Sequence, residues 1–100
     1  MDLETVIMEL VVNVGNARSL AIEAVRMARQ KDFQKADKLM EECKEALNAA
    51  HAVQTDLIRS EMEDGVPVSL LLVHAQDHVM NAMTVKDLAA EMIEMKREEK

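Results

Sequence analysis

Between Val68 and Val85 the chain reads VSLLLVHAQDHVMNAMTV, and Asp77 is the one formal charge in that stretch. Into this apolar run the sequence sets His74, Asp77 and His78. Positions i, i+3 and i+4 share one face of an α-helix, and Asn81 extends that face by a turn. Three chemistries could use the set. Two histidines at i, i+4 could bind zinc, but a metalloprotease helix also needs Glu directly after the first His as general base. That position is Ala75, so a metalloprotease is excluded and a structural His-Asp-His metal site remains open. Alternatively, a neutral imidazole can act as a nucleophile toward a phosphoryl group, with a second imidazole one turn away donating to its oxygens. Finally, polar groups can fix the register of a helix seam through hydrogen bonds. That reading suits Asn81 and Gln54. It suits Asp77 poorly, because an unpaired buried carboxylate is costly.

The elements that must carry these residues follow from few breakers. Gln30-Lys31-Asp32 and Glu63-Asp64-Gly65-Val66-Pro67 are the candidate boundaries. Asp32 and Ser69 are suited to N-caps, Gly65 to a C-cap, and Pro67 to blocking continuation. Three long segments remain within a single domain spanning 1–100, roughly 3–30, 33–62 and 68–98. Leu3, Ile7, Leu10, Val14, Ala17, Ala21, Ala24 and Ala28 repeat at alternating spacings of four and three. So do Phe33, Ala36, Met40, Cys43, Leu47, Ala50, Gln54 and Leu57. The spacing predicts an all-α, three-helix, up-down-up antiparallel bundle. Gly15, inside the first helix, should cost about 1 kcal/mol relative to Ala. The plainer explanation is close helix packing; the other is room for a ligand or a partner's side chain.

Composition narrows the function. The net charge of −7 argues against binding nucleic acid through phosphates. One Phe, no Tyr and no Trp exclude stacking of bases on aromatics. Two Gly and one Pro leave little turn vocabulary for a β-rich fold. One Cys excludes an intrachain disulfide and fits a reducing compartment. No signal peptide is visible. The third helix is apolar nearly all round, through Leu70, Leu72, Val73, Ala75, Val79, Met80, Ala82 and Met83. A membrane span needs about 20 apolar residues, and the His, Gln, Asp and Asn in the middle exclude one here. Burial on several sides, within the subunit and between subunits, is the expectation, with the third helix at the centre of an oligomer. Leu71, Val79, Met80 and Met83 could offer an adaptable docking rim.

The segment SLLLVHAQDHVMNAM (69–83) closely resembles the active-site segment of the lactose/cellobiose (N,N′-diacetylchitobiose) family of enzyme IIA components of the bacterial phosphotransferase system. VNVGNARS (12–19), Asp32-Phe33 and ALNAAHAVQT (46–55) resemble other segments of that family. The resemblance covers nearly the whole chain. It implies a three-helix bundle assembled as a homotrimer, a nine-helix cluster in the cytoplasm. It implies a phosphoryl relay from phospho-HPr to a histidine, then to a cysteine of enzyme IIB, supporting uptake of a β-linked disaccharide of the lactose, cellobiose or chitobiose type. By the same resemblance His74 is the phosphoacceptor, through Nε2, and His78 assists around the phosphate. Asp77 meets its two copies near the trimer axis, where a divalent cation such as Mg²⁺ could sit; no organic cofactor is implied. Gln54 and Gln76 could line the site or the trimer contact. His51 is read as structural. Cys43 is read as a core residue, since the relay cysteine belongs to enzyme IIB. Ala49 and Ala52 replace bulkier or more polar residues of relatives. A non-catalytic trimeric scaffold is the alternative function.

Overall fold

Side-chain caps start all three helices. In the computed structural model, which describes residues 2–65 and 68–99, the Asp2 carboxylate accepts from the Glu4 N–H at 3.3 Å and opens α1 (Leu3–Arg29). The Asp32 carboxylate accepts from the Lys35 N–H at 3.2 Å and opens α2 (Phe33–Asp64). Ser69 Oγ accepts from the Leu72 N–H at 3.1 Å and opens α3 (Leu70–Glu98). Each cap satisfies an N–H group that the first turn leaves without a helical partner.

The boundaries differ from expectation by a few residues. The second helix runs past residue 62 to Asp64 and closes on Gly65, whose φ of 69° is left-handed and whose N–H donates to the Glu61 carbonyl. The third begins at Leu70 rather than 68, because Ser69 is extended (φ −125°, ψ 162°) in order to cap. The expected blocking role of Pro67 lies outside the described residues. Between α1 and α2 the chain reverses through Lys31, which holds φ 65° without being glycine.

Cross-bundle pairs give the directions. Gln54 meets Gln76, and Asp37 meets Arg97, so α2 and α3 run antiparallel. Gly15 shares a cleft with His78 and Asn81, and Val25 shares a groove with Leu88 and Met92, so α1 and α3 run parallel. With the short turn at Lys31, this is the up-down-up order. The bundle measures 55 × 18 × 18 Å.

The core is the set of 4-3 stripes. On α1 it runs from Ile7 through Leu10, Val14, Ala17, Ala21 and Ala24 to Ala28. On α2 it runs from Ala36 to Leu57 and includes Cys43 and Gln54. Leu72, Ala75, Val79, Ala82, Ala89 and Ile93 complete it from α3. The alanines of α1 let its neighbours approach closely. By length and composition α1 would pass as a membrane span; here its stripe forms the inner face of the bundle. Phe33 closes one end, with the Arg97 guanidinium 4.9 Å from its ring centre. Arg97 also binds Asp37 at 2.6 Å and Glu94 at 3.1 Å, and these carboxylates raise its pKa further.

α3 keeps an apolar surplus outside the core. Leu70 is 86 % exposed, and Val73, Met80, Leu88, Met92 and Met95 are also exposed. At helical spacing these residues form an outward stripe interrupted by Asp77 and Thr84.

Candidate phosphoryl-transfer site

The site lies in the first third of α3, where core anchoring of Leu72, Ala75, Val79 and Ala82 sets which way the polar residues point. His78 and Asn81 border α1 across a shared cleft, and His74 stands one turn before His78. His74 is exposed and His78 half-buried. Their ring centroids are 4.2 Å apart and the ring planes incline at 47°. Leu70, Leu71 and His74 line one shallow recess, so the His74 imidazole meets solvent beside apolar side chains. Such an imidazole can attack an incoming electrophile while its rim contacts a partner surface.

Asp77 points elsewhere. It is exposed on the outward stripe, between Val73 and Met80. Among the described residues no group of three or more His, Cys, Asp or Glu side chains is placed to hold a metal ion. A His74-Asp77-His78 metal site within one subunit is therefore not formed, although the three are close in sequence. A single solvent-facing carboxylate is a poor cation ligand by itself; Asp77 fits a divalent cation only if copies of it converge.

Several neighbouring expectations are corrected. Val79 is fully buried, so it belongs to the core and not to a docking rim; Met80 is exposed, and Leu71 and Met83 are half-buried. Gln54 does not line the site. It is 6 % exposed, and its Nε2 donates to Gln76 Oε1, tying α2 to α3 beside the histidine pair. His51, read as structural, has an exposed side chain. Cys43 is a core residue as expected, and burial pushes its thiol pKa up, with the Lys86 charge acting in the opposite sense.

Gly15 is not explained by close packing. A Cβ at this position would meet nothing within 4 Å. Gly15 lies instead on a cleft of about 390 Å³ between α1 and α3, which Asn16, Arg18, Ser19, His78 and Asn81 also line. Arg18 was not singled out by the sequence reading, although the signal was in VNVGNARS: Gly15, Arg18 and Ser19 stand at i, i+3 and i+4 and share a face.

Comparison with known proteins agrees with this fold. The family profile described as the lactose/cellobiose-specific IIA subunit of the phosphotransferase system matches residues 5–97. The chain is 48 % identical over 95 residues to the N,N′-diacetylchitobiose-specific EIIA component of Escherichia coli K12, covering 94 % of this chain and 82 % of that protein. It is 45 % identical over 95 residues to the lichenan-specific phosphotransferase enzyme IIA component of Bacillus subtilis 168, covering 94 % and 86 %. Among solved structures it resembles the cellobiose-specific enzyme IIA of Bacillus anthracis (TM-score 0.89, 47 % identity, 97 % of this chain and 91 % of that one). It also resembles the IIA(chitobiose) chain solved in complex with HPr from the E. coli phosphotransferase system (TM-score 0.88, 46 % identity, 97 % and 95 %). With residues 5–97 matched and the three-helix fold shared, the chain belongs to the lactose/cellobiose-specific IIA subunit family of the phosphotransferase system.

Proposed function

We propose that this IIA subunit carries its phosphoryl group on His74. The observation that carries the reading is the exposed His74 imidazole with the His78 ring 4.2 Å away, in a chain whose family relays phosphoryl groups. The donor is phospho-HPr and the acceptor a cysteine of the cognate enzyme IIB; a relative solved in complex with HPr supports the first partner. In transfer, the P–N bond of the donor breaks as a P–N bond to His74 Nε2 forms. The electron pair of the broken bond stays on the donor nitrogen, and each ring keeps the proton on its other nitrogen. Chemistry of this kind needs mainly alignment and charge stabilisation. His78 supplies a hydrogen bond to the phosphoryl oxygens. The onward step mirrors the first, with a thiolate sulfur as nucleophile. The relatives, specific for chitobiose and lichenan, support a β-linked saccharide of the chitobiose or cellobiose type as the cargo of the whole system. The relay works in the cytoplasm.

The subunit acts as a homotrimer, with the outward stripe of α3 at the axis. The exposed run of Val73, Met80, Leu88 and Met95 supports this, since such a stripe is costly in water. Asp77 then faces its two copies, and a divalent cation held there would offset their mutual repulsion.

The test is phosphotransfer in solution. The protein is mixed with enzyme I, HPr and phosphoenolpyruvate and compared with His74→Ala by intact mass. The expected result is one acid-labile phosphoryl group, absent from the variant. A folded protein that takes up none would sink the carrier reading and favour a scaffold.

A further inference from the structure

We propose that the cleft between α1 and α3 is a phosphoryl-oxygen site, with Arg18 as its cation; this rests on the carrier reading above. Three observations converge. First, Gly15 carries the helix-interior cost of glycine without any packing return inside the chain, because a Cβ there would meet open space. The residue keeps the cleft wall low for something the chain itself does not supply. Second, the polar groups around the opening can all donate hydrogen bonds: the Arg18 guanidinium, which only donates, and the Asn16 and Asn81 amides and the Ser19 hydroxyl, which also accept. Arg18 stands in this lining and no carboxylate does, so in a chain of net charge −7 the opening favours an anion. Arg26, Arg59 and Arg97 pair with carboxylates, whereas Arg18 and Arg29 form no ion pair among the described residues, and of these two only Arg18 borders the cleft. Its fork of donors is free for a tetrahedral oxyanion. Third, His78 belongs to both places: it lines this cleft, and its ring lies 4.2 Å from that of His74. The anion that the reaction brings to this corner is the phosphoryl group moving to or from His74. Arg18 neither gains nor loses a proton in that step. It binds oxygens whose charge is redistributed as one P–N bond replaces another.

The experiment compares wild type, Arg18→Gln, Arg18→Lys and Gly15→Val, with His74→Ala as control and circular dichroism as the check of fold. Rapid-quench transfer from phospho-HPr gives kcat and KM separately. The Arg18 side-chain N–H resonance is followed by NMR before and after phosphorylation. For Arg18→Gln we expect kcat to fall about ten- to hundredfold, the range for one charge-assisted hydrogen bond, at nearly constant KM. Arg18→Lys should recover part of it, Gly15→Val should slow transfer while keeping its helix content, and the wild-type Arg18 resonance should shift on phosphorylation. A normal kcat in Arg18→Gln, or an Arg18 resonance that ignores phosphorylation, overturns the proposal and leaves the carrier reading intact. A rise in KM alone does the same and makes Arg18 a contact to the partner protein. Failure of wild type to accept any phosphoryl group would instead refute the carrier reading itself.

Discussion

The imidazole of His78 stands one helical turn beyond that of His74, with ring centres 4.2 Å apart and planes inclined at 47°. The two rings differ in setting: His74 is exposed and His78 half-buried at the edge of the α1–α3 cleft. That asymmetry fits the proposed division, His74 for bond making and His78 for support. His78→Ala should therefore still accept one phosphoryl group, but about ten- to hundredfold more slowly, as for loss of a hydrogen bond to a charged group. Quenched-flow transfer from phospho-HPr measures this, and a variant as inert as His74→Ala would refute the division of roles.

The outward stripe of α3 should govern assembly. In the proposed trimer Leu88→Glu would place a carboxylate where three subunits meet, and a buried unpaired charge costs several kcal/mol. Light scattering should show trimers giving way to monomers of retained helix content. Chelation of divalent cations should weaken the wild-type trimer at most modestly, and Asp77→Asn should abolish that sensitivity. A chelation effect that survives Asp77→Asn would place the cation elsewhere.

The Gln54–Gln76 bond joins α2 to α3 within the core. Gln76→Ala leaves the buried Gln54 amide without its partner, so urea unfolding at fixed protein concentration should show a loss of about 1–3 kcal/mol. Replacing both by Leu should cost less than this single change, because an apolar pair leaves no unsatisfied group. Equal losses would mean that water satisfies Gln54 in the variant.

Among the described residues two left-handed ones terminate helices, Lys31 and Gly65. Gly65→Ala forces a Cβ into φ 69° and should destabilise by about 1 kcal/mol. Lys31→Gly relieves the same strain at φ 65°, partly offset by a more flexible unfolded chain. A net gain of a few tenths of a kcal/mol is expected, and thermal melts of the pair should move in opposite directions.

Cys43 gives a pH signature. Its folded pKa lies above the ordinary thiol value of 9.0, through burial. Below pH 9 both folded and unfolded thiols are protonated and the group adds no slope. Above it the unfolded chain releases a proton that the folded chain keeps, so stability falls as pH rises toward the folded value. Cys43→Ala should flatten the high-pH limb of a stability–pH curve. A limb of unchanged slope would assign it to other groups.

The helices were legible in the sequence because their signals are local. A 4-3 stripe from Ile7 to Ala28, an Asp or Ser cap and a Gly65 stop each act within a few residues, so composition and spacing suffice. Segment 69–83 was equally readable, because its i, i+3, i+4 pattern is a property of one helix. What the tertiary structure decided was which side of that helix faces what. Val79 and Met80 are adjacent and both apolar, yet packing against the other helices buries the first and leaves the second in solvent. The same rotation turns His78 toward α1 and Asp77 outward, which dissolves the metal triad that their spacing allowed. Gly15 and Arg18 became part of the site only because α1 runs parallel to α3 and brings residues some 60 positions apart to one cleft. No periodicity within a single helix encodes that register; it is set by how alanine and branched side chains interlock across the core.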